Sequence, residues 1–114
     1  KAEGAEITDA AAKSLVWAHY IERPNDNYYV AGKHVAKAPI IVQVTTPEDA
    51  LTQETRKSLA SDIGAIVDQH LGSFEGRLNH WVMLHEVKEG SWGGAGQIFS
   101  LENIQEAMNI PIYA

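Results

Sequence analysis

Two stretches of the chain overlay on each other without a gap. Trp17, Glu22, Tyr28 and Gly32 are each followed, 64 positions later, by Trp81, Glu86, Trp92 and Gly96. Each copy reads Trp, four mostly apolar residues, Glu, a turn rich in Asn, Asp, Gly or Ser, an aromatic, and then Gly. That is the grammar of a strand feeding a tight reversal. A duplicated unit constrains the fold strongly, because one copy cannot bury its apolar face alone and must pack against its twin or a neighbour. In the first copy Trp17, His19 and Ile21 alternate with Val16, Ala18 and Tyr20; in the second, Trp81, Met83 and His85 alternate with Val82 and Leu84. Successive strand side chains point to opposite faces, so both faces of both strands are largely apolar. Strands of that kind are expected to carry helices on one side and other protein on the other.

The segment between the copies completes a second unit. Pro39 opens a β-branched run to Thr45, and a proline is tolerated at a strand's first position because its missing N–H is not needed there. Thr46 to Asp49 reads as a loop. Thr52 is placed to cap a helix whose early Glu54 complements the positive end of the helix dipole. Leu59, Ile63, Ile66, Val67 and His70 or Leu71 recur at steps of three and four, the apolar stripe of a helix about 20 residues long. Gly72 ends it. A loop from Ser73 to Asn79 leads into the Trp81 strand, and Ser100 caps a short helix from Leu101 to Met108 that Pro111 cannot extend. Residues 38–114 thus hold strand, helix, strand and terminal turn, whereas residues 1–37 hold only the later part of a first unit. If Gly4 corresponds to Gly72, then Lys1 to Glu3 are the tail of a helix, and a full first unit needs a prefix of roughly 30 residues.

Composition bounds the rest. With 114 residues, 45% of them hydrophobic, a single domain over 1–114 is expected. No apolar run approaches the roughly 20 residues that cross a bilayer, and the start of the chain lacks an apolar signal stretch. A net charge of −6 gains nothing from releasing counterions off a phosphate backbone, so neither nucleic acid nor membrane is an expected partner. The absence of Cys removes disulfides, thiolate catalysis and Cys-ligated zinc, and makes the cytoplasm the expected location. His19, His34, His70, His80 and His85 include no i, i+4 pair beside a carboxylate, so no metal is expected. The run from Trp92 to Gly96 lacks the Lys and following helix of a phosphate loop.

Pro39 with its strand, the amphipathic helix to Gly72, and Trp81 to Gly96 with an aromatic six residues after Glu86 together resemble one β-α-β unit of the tautomerase superfamily, the group around 4-oxalocrotonate tautomerase. Two such units in tandem resemble its fused members. The resemblance covers residue 39 to about residue 99, and about 14 to 33 in the first unit. It implies an α+β fold of tandem β-α-β units, with helices packed on one face of a mixed sheet and fused units assembling as a homotrimer. It also implies proton transfer on a small keto or unsaturated carboxylic acid, with tautomerisation, hydration, dehalogenation and decarboxylation all open, and no cofactor. The base in such enzymes is an amino-terminal proline. A terminal amine with a pKa near ~8 is lowered toward neutrality by a partly apolar pocket, where proton transfer is efficient.

At that position the chain departs from the family. Pro39 lies inside the chain, where its nitrogen is a tertiary amide without a basic lone pair, so its role is to start a strand. The catalytic residue is unknown within these 114 residues. By the resemblance Trp92 is the aromatic that walls the pocket and Tyr28 its counterpart in the first unit, each otherwise a cover for a hairpin or a subunit contact. Trp17 and Trp81 replace a substrate-polarising arginine and read as core or interface. Arg77 and Arg23 are the candidates for carboxylate binding, with Lys33 and Lys37 behind them; a surface charge is the plainer reading of each. Arg56 reads as solvent-exposed. Glu22 and Glu86 read as acceptors for turn N–H groups, and His19 and His85 as core or interface histidines. The competing reading is a non-catalytic oligomeric or binding protein that keeps the scaffold, and a third is an unrelated α+β domain that dimerises through its sheet.

Overall fold

The computed structural model describes residues 10–108, as three helices and six strands. In chain order these are α1 (Ala10–Ser14), β1 (Tyr29–Val30), β2 (Lys33–His34), β3 (Ile40–Pro47), α2 (Gln53–Leu71), β4 (His80–Val87), β5 (Gly93–Gly94), β6 (Gln97–Ile98) and α3 (Leu101–Met108), with one 3-10 turn at Asn25–Asn27. The class is α+β. The expected helix tail at Lys1 to Glu3 and the stop at Pro111 lie outside the described residues.

The centre of the fold is a β-α-β unit. β3 and β4 pair in parallel over their full length, from Ile40 opposite His80 to Pro47 opposite Val87. β3 runs two residues further than the β-branched run suggests, because Pro47 needs no N–H on the edge and Glu48 continues the ladder by donating to the Val87 carbonyl at 2.7 Å. The crossover helix α2 starts where expected. Thr52 accepts from the Thr55 amide at 3.1 Å, and the Thr55 hydroxyl accepts from the Thr52 amide at 2.8 Å, a capping box with Thr in place of the usual Glu. It ends at Gly72, whose φ of 72° places it in the left-handed region and whose N–H reaches the Asp68 carbonyl.

The inward stripe of α2 is narrower than its sequence suggests. Leu59 and Ile63 are half-buried and Val67 is buried, but Ile66, His70 and Leu71 face out. The sheet supplies only two strands to pack on, so one row of large side chains is enough to cover it. On β3 and β4 exposure alternates: Ile40, Val42, Val44, His80, Val82 and Leu84 are half-buried on one face, while Ile41, Gln43, Thr45, Trp81, Met83 and His85 are exposed on the other. Ile41 and Trp81 sit directly opposite each other and remain 60% and 61% exposed. Among the described residues the buried apolar side chains are few: Ala11, Ala12, Pro47, Leu51, Val67 and Met108.

The Trp17 segment corrects the sequence reading. Residues 16–24 form no strand; Val16, Trp17, Tyr20 and Ile21 are all exposed, Trp17 by 84%, and the Trp17 indole N–H donates to the Ser14 carbonyl instead. Trp17 and Trp81 therefore do not occupy equivalent places. A strand exists only by pairing: the Trp81 copy has β3 beside it, and no strand lies beside the Trp17 copy among the described residues. In place of one mixed sheet there are, among the described residues, three separate two-stranded ones.

The hairpins, by contrast, repeat in their pairing register and in the φ angles of their central residues. Asn27 N–H donates to the Pro24 carbonyl and, 64 residues on, Ser91 N–H donates to the Lys88 carbonyl, both at 2.9 Å. β1 and β2 pair Val30 with Lys33; β5 and β6 pair Gly94 with Gln97, the same offset. The central residues are Ala31 and Gly32 with φ of 53° and 77°, and Ala95 and Gly96 with φ of 49° and 79°. Positive φ at both positions of a two-residue hairpin loop defines the type I′ turn, whose twist suits antiparallel strands. Alanine in that region costs about 1 kcal/mol that asparagine largely avoids. Ala31→Asn and Ala95→Asn should each slow amide exchange at Lys33 and Gln97, respectively, by about threefold, measured by hydrogen exchange on the native protein.

Candidate functional site

The β3–β4 pair has two ends, each with its own polar cluster. At the end where both strands begin, Asn79 is buried and fully engaged. Its side-chain amide donates to the Asp68 carboxylate and to the Gly72 carbonyl, both at 2.8 Å, and its backbone carbonyl accepts from the Ile40 amide at 3.0 Å. Both amide hydrogens are thus used, so the oxygen faces His80 Nδ1 at 2.6 Å and that nitrogen must carry the hydrogen. The other ring nitrogen of His80 lies toward Gly64 of α2. One residue joins the last turn of the helix to the first residues of both strands.

Beside Asn79 stands Arg77. Its guanidinium carbon lies 4.5 Å from the Phe74 ring centroid, and one terminal nitrogen donates to the Lys37 carbonyl. The other terminal nitrogen is buried without a hydrogen-bond partner. The Lys37 ammonium lies 5.9 Å from the same ring. Arg77 is therefore a half-buried cation over an aromatic ring, bonded to the segment just before β3, and the plain surface charge of the sequence reading is corrected. Stacking on an aromatic face holds a guanidinium plane in place, which a free surface arginine lacks.

At the opposite end Arg56 pairs with Glu86 and also donates to the Gln53 side chain at 3.2 Å. This corrects two expectations. Arg56 is half-buried, and Glu86 serves the helix rather than the turn; the N–H of Glu89 in that turn is bound by Glu48 at 2.8 Å. No sequence spacing signals a pair 30 residues apart, since it depends on α2 returning alongside β4. The Glu89 carboxylate in turn accepts from the Leu101 amide at 3.2 Å, and Ser100 and Asn103 cap each other's amides, which together hold α3 to the hairpin.

Trp92 is half-buried at the base of the β5–β6 hairpin, its carbonyl accepting from Phe99 N–H at 2.8 Å. The hairpin lines a shallow, open depression of Gly93, Gly94, Gly96, Gln97 and Ile98. A Cβ on Gly94 would stand 3.3 Å from the Phe99 ring, so glycine there permits close packing. Tyr28 is half-buried at the matching place in the first copy, and next to it the Tyr29 and His34 rings meet across β1 and β2, tilted by 39° with centroids 4.3 Å apart. Arg23 is exposed in the irregular segment. His85 lies on the exposed sheet face with Trp81 and Met83, and His19 on the exposed segment, so neither is a core histidine in this chain.

Arg77 and Trp92 are not brought together. Between them runs β4, eight residues at about 3.3 Å each. Among the described residues no group of three His, Asp or Glu side chains is placed to hold a metal, and no helix is long and apolar enough to cross a membrane. The chain matches no known family model, no characterised protein and no solved structure.

Asn79→Ala leaves Asp68, the Gly72 carbonyl and His80 without their shared partner and should cost about 2–4 kcal/mol of unfolding free energy, read by urea titration. N79D places a second carboxyl against Asp68, so its loss should be greater at neutral pH than near ~pH 4, where protonation of one carboxyl restores a donor.

Proposed function

We propose that the chain is part of a tautomerase-superfamily enzyme of the fused, tandem β-α-β type, acting on a small keto or unsaturated carboxylic acid. The single observation that supports this most is the conjunction of a parallel β-α-β unit opening on Pro39 with a hairpin whose backbone recurs 64 residues away. In this reading the general base is an amino-terminal proline outside these 114 residues. Its secondary amine takes the enol hydroxyl proton and its conjugate acid returns one to carbon, so enol becomes ketone with no net change of atoms. Trp92 and Tyr28 shape the pocket, and Arg77 or Arg23 binds the substrate carboxylate; tautomerisation is the representative reaction, and no cofactor takes part.

The distance along β4 between Arg77 and Trp92 favours a pocket completed by a second chain, in keeping with a homotrimer in the cytoplasm. A specific observation favours the second reading, a non-catalytic scaffold: the nitrogen of Pro39 is a backbone amide and cannot act as a base. Phenylenolpyruvate separates the two. The product of the complete reading frame, with its mature amino terminus, should speed decay of the enol absorbance above buffer, and replacing an amino-terminal proline by alanine should remove about 99% or more of that rate. The 114-residue chain alone should match buffer. A complete product no faster than buffer would establish the scaffold reading.

A further inference from the structure

We propose that residues 16–22 of one copy of this chain pair, as an added strand, with the free edge of β4 in a second copy. This goes beyond the superfamily reading, because it requires neither an amino-terminal proline nor a substrate. Three observations carry it. Residues 16–22 alternate as a strand does and yet lie open, with Trp17 84%, Tyr20 86% and Ile21 72% exposed. Among the described residues no backbone hydrogen bond engages residues 18–23, so their amides and carbonyls lack the ladder that their sequence suits. β4 is in the complementary position: β3 occupies one of its edges, and along the other its eight residues have no partner among the described strands.

The outer edge of β4 suits this role better than that of β3. Amide directions alternate along a parallel strand, and the Glu48 N–H points at β4, where it meets the Val87 carbonyl. The nitrogen of Pro47 therefore points outward, and a proline on an outer edge blunts it against pairing. β4 contains no proline, and Pro24 comes only after the Trp17 segment has ended. Charge agrees as well. In a chain of net charge −6, residues 14–21 carry no Asp, Glu, Lys or Arg, and the one such residue of β4, Glu86, is paired with Arg56. The two surfaces that must meet are thus among those where like charges oppose it least. Aromatic side chains bury about 150–250 Å² each, so Trp17 and Tyr20 from one copy and Trp81 from the other offer roughly 450 Å², over a third of the ~1,200 Å² at which specific interfaces begin. Val16, Ile21, Met83 and the two main chains add to this. The contact is heterologous and repeats from copy to copy until a ring closes.

The test follows the 114-residue chain by sedimentation and by amide hydrogen exchange over a concentration series. Association should have a midpoint on the order of 1–100 μM, and exchange at residues 17–21 should slow about tenfold or more between its dilute and concentrated ends. Trp17 is exposed, so W17E should leave the circular dichroism unchanged and weaken association about tenfold or more. A18P and H19P remove adjacent amides that face opposite edges, so one of the two should abolish association. The chain has no Cys, so a spin label attached to E22C marks one place only. Mixed with an unlabelled nitrogen-15 copy, it should broaden β4 amides more than those of β3. The proposal is overturned by any of five results: a chain still monomeric at ~1 mM, association that survives W17E, association that survives both prolines, protection of residues 17–21 that is independent of concentration, or broadening centred on β3. None of these outcomes depends on enol turnover, so the two proposals fail separately.

Discussion

Parallel strands cannot be joined by a tight turn, and the pairing of β3 with β4 dictates most of what surrounds it. After leaving β3 at Pro47 the chain must return to the end where β3 began. Nineteen helical residues in α2 cover about 28 Å at 1.5 Å each, close to the length of an eight-residue strand. Helix length and strand length are thus matched, and Thr52 and Gly72 set the two ends. Asn79 then latches the return. Its three side-chain contacts and one backbone contact bring helix end, loop and both strands to one point. Phe74 and Arg77 belong to the loop that this latch closes.

What could be read from the residues is what local chemistry decides. The limits of α2 follow from a capping threonine and a terminal glycine, β4 from its alternation, and α3 from Ser100, each within a few residues of its cause. What could not be read depends on neighbours. Val16 to Ile21 have every sequence attribute of a strand and form none, because alternation states which faces are apolar and not whether a partner strand is present. Ile66 and Leu71 continue a correct helical period but fall beyond the width of a two-stranded sheet. Among the site residues, Trp92 and Tyr28 take matching half-buried places that their shared offset anticipates. The bond from Arg77 to the Lys37 carbonyl and the pairing of Arg56 with Glu86 arise from contacts between residues 40 and 30 positions apart.

The sheet face opposite α2 bears on any function. Parallel sheets are ordinarily covered on both sides, and here one side presents Ile41, Trp81 and Met83. The cluster at Arg77 and the hairpin at Trp92 lie off the two ends of that same pair.

The two Ala-Gly reversals have a consequence of their own. Their backbones agree while their flanks do not: one carries Tyr29 against His34, and the other carries bare Gly93 and Gly94 beside Gln97 and Ile98. The dipeptide alone specifies the bend, which leaves every flanking position free to drift without loss of shape. One bend thus serves two different surfaces, one furnished with rings and one stripped to main chain.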